Sequence, residues 1–243
     1  MSETDLLANN KKVPSFFIFI AITGFLAVLI GFGKTFIVPS AKGTFAAPYI
    51  IYIHGAFAFS WIVLFLIQTL LIHYYKYSLH QTLGVLGIFI ATGVMVTMIL
   101  VGKYVVGRDL SLGLGDIAYS SLIGNITSAF MFFTLVLFGI LKRKNAAAHK
   151  RLMLLATIVV LWPAWFRFRH YFPSVPRPDI WFALVLADSL IIIAWIWDRF
   201  RNGTIHPILK YGGLFIIAEQ TFEVLAFDSA LWRSVATWAY SNM

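Results

Sequence analysis

The chain of 243 residues has no cysteine, which excludes disulfides, thiolate metal centres and a cysteine nucleophile. Charge is scarce too: 12% of residues are charged, where a soluble domain carries about 25%. Carboxylates are the scarcest, ten Asp and Glu against nineteen Lys and Arg. No Ser/Gly/Pro-rich linker and no charge block marks off a second domain, so residues 1–243 read as one unit. No internal repeat is visible, and no serine triad. Gly113 and Gly115 lie in a loop without the strand and helix that a dinucleotide site needs. No catalytic motif is legible, and enzyme activity is left open.

What fills the chain is apolar: 60% hydrophobic and 17% aromatic residues. That places it in the membrane class, with the lipid bilayer as its first partner. A net charge of +9 would point to nucleic acid in a soluble protein. Here the basic residues fall between apolar runs, where they set topology, and nucleic-acid binding is not expected. Seven runs, at about 13–33, 48–72, 82–102, 117–141, 152–171, 180–197 and 208–227, are each long enough for a core that takes about 20 helical residues to cross. The expectation is an all-α integral membrane bundle of about seven transmembrane helices. The first run is too long, and too poorly flanked, for a cleaved signal. Pro163 interrupts the fifth and is expected to kink it. His206-Pro207 opens the seventh, since proline suits a first helical turn.

Orientation follows from Lys and Arg. With the N-terminus inside, the cytoplasmic segments hold Lys11, Lys12, Lys76, Lys142, Arg143, Lys144, Lys150, Arg151, Arg199, Arg201 and Lys210, the majority of the nineteen. The cluster from Lys142 to Arg151 decides the direction: N-terminus cytoplasmic, C-terminus outside.

The later runs carry charges that a lipid-facing helix avoids. Arg167, Asp188, Glu219 and Glu223 each cost several kcal/mol in hydrocarbon on the order-of-magnitude scale for uncompensated ions, unless buried together, wetted or neutralised. Glu219 and Glu223 are four residues apart and share a helix face. Asp188 is near the middle of its run. Consecutive short-looped helices are neighbours, so the three acids are expected to converge on Arg167. Adding His54 and Asn125 gives a candidate ligand site of His54, Asn125, Arg167, Asp188, Glu219 and Glu223. Its occupant would be a small molecule or ion.

The six histidines fall at two levels. His54 lies 18 residues before Ile72, and His170 lies 18 after Leu152, so both sit ~27 Å from the cytoplasmic ends of their runs. Equal depth, with Arg167 and Arg169 near for propionates, fits a haem b with axial ligands His54 and His170. His73 and His149 share the inner level, ~28 to 31 Å away along the helices, which is too far for a two-haem wire. His80, His149 and His206 each precede a predicted helix, where imidazoles cap helices, meet headgroups or ligate a metal.

The stretches HGAFAFSWIVLFLIQTLL (His54–Leu71), HQTLGVLG (His80–Gly87) and HKRLMLLAT (His149–Thr157) resemble a group of uncharacterised bacterial multi-pass membrane proteins with HxxLG and HKRLM motifs. The likeness covers residues 54–157 and carries over His54, Trp61, Gln68, His80, Gly84, His149, Arg151 and Met153. It implies a bacterial inner-membrane location. The chain is also similar to cytochrome b561-like membrane proteins, which implies haem, although the histidine spacing departs from theirs. Gly84, Gly87 and Ala91 form a small-residue stripe for close helix packing. Lys150 and Arg151 read as surface anchors touching lipid phosphates. Three classes remain: a membrane protein binding a small ligand or ion for transport or sensing, a haem b redox protein, and an accessory subunit of a membrane complex.

Overall fold

The computed structural model describes residues 16–243, so Lys11, Lys12 and the start of the first run at Val13 lie outside the described residues. The described residues hold eight helices and no strand: α1 (Phe16–Ala41), α2 (Tyr49–His73), α3 (Tyr77–Ser111), α4 (Ser120–Leu141), α5 (Ala146–Phe166), α6 (Asp179–Asn202), α7 (Pro207–Ala226) and α8 (Ala230–Ser241). The chain is an all-α membrane bundle. Six of these helices are long and apolar enough to cross a membrane. The seventh expected span does form α7, but Lys210, Glu219 and Glu223 all lie within its 20 residues. They make it too polar to count with the six.

The elements also run longer than their uncharged cores. Charge near a helix end does not stop the helix, because a side chain that reaches the interface leaves the backbone ladder intact. Thus α3 has 35 residues and starts at Tyr77, with His80 inside its first turns and Lys103 and Arg108 still helical. α5 starts at Ala146, where the Asn145 side chain accepts from Ala148 N at 3.1 Å. His149 is therefore inside the helix, not ahead of it. Pro163 lies within α5, which runs on to Phe166 before tightening into a 3-10 turn, Arg167–His170. Two wider π turns interrupt the regular pattern, Gly33–Ile37 in α1 and Asp179–Leu186 in α6.

α5 is the hub. It buries 61% of its most apolar eighteen residues, against 22% to 33% in the other five spans, and it is the least hydropathic of the six. The two facts are one: a helix wrapped by protein need not present hydrocarbon to lipid all round. Glycines set the close approaches. A Cβ on Gly31 of α1 would run into the Ala164 backbone, one on Gly139 of α4 would meet Met153, and one on Gly212 of α7 would meet Leu155. Trp61 of α2 donates from Nε1 to Thr157 Oγ1 at 3.2 Å and meets Phe132 edge-on. The expected small-residue stripe of α3 works as packing, with Gly87 opposite Leu64 and Ala91 fully buried. Phe16 of α1 stacks on Trp197 of α6 at 4.4 Å. α8 lies across the far end of α4, where Trp232 Nε1 donates to Ser120 O at 2.8 Å.

Candidate intramembrane carboxylate site

On α7 the buried positions Leu209, Gly213, Ile216 and Gln220 recur at helical spacing and form the inward stripe. Glu219 and Glu223 flank that stripe. The Glu223 carboxylate reaches α4 at Gly124, so closely that a Cβ at Gly124 would collide with it. One turn further in, the Thr127 hydroxyl of α4 faces Glu219. α4 and α7 run antiparallel here, since Gly124 meets Glu223 while Thr127 meets Glu219. The third acid comes from α6. Asp188 lies two residues past the π turn of that helix, is 6% exposed, and is within range of the Glu219 charge. Glu219 and Glu223 thus face α4, and Glu219 links them electrostatically to Asp188 of α6.

The hydrogen-bond balance of this region is poor. Both oxygens of Asp188, Oε2 of Glu219 and Oε1 of Gln220 are sealed from solvent with no partner among the described residues. An unpartnered buried carboxylate is costly enough to demand a proton or a cation. None of the four ion pairs found among the described residues involves these acids. The three do not form a cluster tight enough to hold a metal ion, and no such cluster occurs among the described residues.

Arg167 is placed elsewhere, contrary to the expected convergence. It sits on the 3-10 turn ending α5, donates to Pro163 O at 2.8 Å, and stacks over Phe32 of α1 at 4.0 Å. A count of residues along α5 gives height and says nothing of which neighbour a 3-10 turn faces. His54 is separate as well: its Nδ1 pairs with Thr97 Oγ1 of α3 at 3.0 Å. Asn125 donates to Ser121 O at 2.9 Å and packs on Gly102 at the α3–α4 seam. Of the six expected ligand residues, Asp188, Glu219 and Glu223 come together.

The two candidate haem ligands have unlike surroundings. His54 is half-buried with one nitrogen engaged, whereas His170 is exposed and its carbonyl accepts from Lys34 Nζ at 3.0 Å. The imidazoles that the fold brings side by side are His80 and His149, ring centroids 6.2 Å apart, with His149 Nδ1 held 2.8 Å from Gly139 O. His206 caps α7 by accepting from Ile208 N at 3.2 Å.

Sequence reasoning missed Asp198. Fully buried, it receives Arg151 through two nitrogens, the backbone N–H of His206 at 2.8 Å, and Asn202. Arg151 is therefore no lipid anchor but half of a buried ion pair, 4% exposed. The signal that could have found it was Asp198 beside a run of basic residues in Trp197–Arg201, the single acid on an end of α6 that otherwise reads as positive.

Comparison with protein-family models, with curated proteins and with solved structures finds no match.

Proposed function

We propose that this membrane protein binds a proton or a small ligand with a cationic group at Asp188, Glu219 and Glu223, and uses the site for transport or sensing. The observation that carries this reading is Asp188: two carboxylate oxygens sealed from solvent, no hydrogen-bond donor among the described residues, and the Glu219 carboxylate within range of its charge. A proton or an ammonium group supplies the missing donor in such a place. The adjoining π turn supports the same reading, because such widened turns recur where helices serve a site. The Lys and Arg distribution supports a cytoplasmic N-terminus, with the acids toward the outer half of the membrane, and the motif resemblance favours a bacterial inner membrane.

The test uses the purified full chain in detergent. Radiolabelled methylammonium binding and potentiometric proton counting are measured for the protein and for Asp188→Asn and Glu219→Gln. Loss of the bound methylammonium in either variant, with proton release on methylammonium binding in the unaltered protein, is the expected result. Identical methylammonium isotherms in all three proteins would refute the site.

A further inference from the structure

The α1–α5 junction gathers positive charge with no carboxylate paired to it among the described residues. Arg167 and Arg169 lie on the 3-10 turn ending α5, and Lys34 comes from the π turn of α1. Lys34 Nζ donates to His170 O at 3.0 Å and lies 4.4 Å from the Tyr171 ring centroid, while the Tyr171 hydroxyl donates to Ile30 O at 2.7 Å. These contacts tie the two turns together. Arg167 lies flat over Phe32 and Arg169 over Phe166 at 3.7 Å. None of the ion pairs found among the described residues includes Lys34, Arg167 or Arg169.

We propose that this junction binds a phosphate-bearing anion, gripped by Arg167 and Arg169 from one side and Lys34 from the other. A guanidinium carries five donors in a rigid fork. The one bond of Arg167 to Pro163 O leaves most of that fork without a protein acceptor. Stacking on Phe32 fixes the plane of the group, which prepares it for two-pronged contact with phosphate oxygens. Thr35, on the same π turn as Lys34, adds a buried hydroxyl without a partner. Height is right as well. Arg167 is 21 residues beyond Ala146, where α5 starts, or ~31 Å along that helix, and Lys34 is tied to the same level by its bond to His170 O. A hydrocarbon core is about 30 Å thick, so the junction lies where lipid phosphates begin. The source of the phosphate is then either an anionic lipid headgroup or a free phosphate ester entering from water.

Thermal unfolding of the purified full chain tests this. One arm compares inorganic phosphate with chloride at equal ionic strength in an uncharged detergent. The other compares nanodiscs of phosphatidylglycerol with nanodiscs of phosphatidylcholine. Stabilisation by phosphatidylglycerol alone identifies a lipid headgroup, and stabilisation by both identifies a pocket open to free phosphate. In either case Arg167→Gln and Lys34→Gln should each weaken the apparent affinity about tenfold. Lys210→Gln, which removes the same charge at the opposite end of the bundle, should not. Lys34 is exposed, so its variant keeps the test available if Arg167→Gln fails to fold. No stabilisation in either arm, stabilisation that survives both variants, or equal loss in Lys210→Gln overturns the proposal.

Discussion

Removing Arg151 should be among the most damaging single changes outside the apolar core. Asp198 is fully buried and Arg151 is 4% exposed, so Arg151→Met strands a carboxylate in the bundle. Breaking a buried pair from one side costs about 3 to 5 kcal/mol. Asp198 keeps the His206 N–H and the Asn202 amide, which puts the expected loss at the lower end, about 3 kcal/mol. For a chain of this length that corresponds to a fall in Tm of about 6 to 12 °C. Asp198→Asn should also destabilise, since the buried guanidinium then retains only Ala147 O and a neutral amide. The double variant should cost clearly less than the sum, because neither charge is left without its partner. Thermal unfolding in detergent, run as a double-mutant cycle, measures that difference. A loss under about 1 kcal/mol for Arg151→Met, or additivity, would show the pair to be hydrated and the reasoning wrong.

Two further outcomes follow from packing and charge. Gly31→Ala should destabilise by about 1 to 3 kcal/mol, because the new methyl meets the fixed Ala164 backbone; Gly124→Ala meets only the movable Glu223 carboxylate and should alter methylammonium binding or proton count with little change in Tm. The Arg233 guanidinium, and then the Ser120 hydroxyl, hold the Asp228 carboxyl below its ordinary value of 3.8. A depressed carboxyl stabilises above its unfolded value and loses that contribution as pH falls through the folded one. Protection of the α8 amides, taken relative to the intrinsic exchange rate at each pH, should therefore fall below about pH 4, an acid dependence that Asp228→Asn removes; protection constant across that range would count against a stabilising Asp228–Arg233 pair.

The spans were legible because lipid imposes one rule on every exposed face, and an apolar run of sufficient length satisfies it whatever its neighbours. Helix ends were less so. α3 overruns its apolar core by several residues at both ends, since snorkelling lysines let a helix continue into the interface. The three acids stood out because an ionisable group within a largely apolar helix is costly unless it faces protein or water. Their pairing with Arg167 was not legible. Charge complementarity suggested it, yet Phe32 and Pro163 O claim the guanidinium. The Arg151–Asp198 pair was hidden in the opposite way, because an arginine in a basic cluster already had a sufficient explanation as a topology signal.

Polarity alone does not mark the functional part of this bundle, as α5 shows. It is the most buried span and carries Arg151 and Thr157, each satisfied by Asp198 or Trp61. The carboxylate oxygens without donors among the described residues lie instead on α6 and α7, at Asp188 and Glu219. These two helices are joined through Asp198, which holds the backbone of His206 in the connecting loop while Arg151 holds Asp198 to α5. The satisfied pair is thus a pin at one end of the α6–α7 unit, and the unsatisfied acids lie toward the other end. A rearrangement that admits a ligand to the acids needs least energy if it turns about that pin and leaves the buried pair intact. Loosening the pin by Arg151→Met should then change methylammonium binding or proton count at Asp188 as well as stability, even though Arg151 touches none of the acids. An effect on Tm with the binding isotherm and the titration unchanged would separate the two ends and leave the pair a purely structural element.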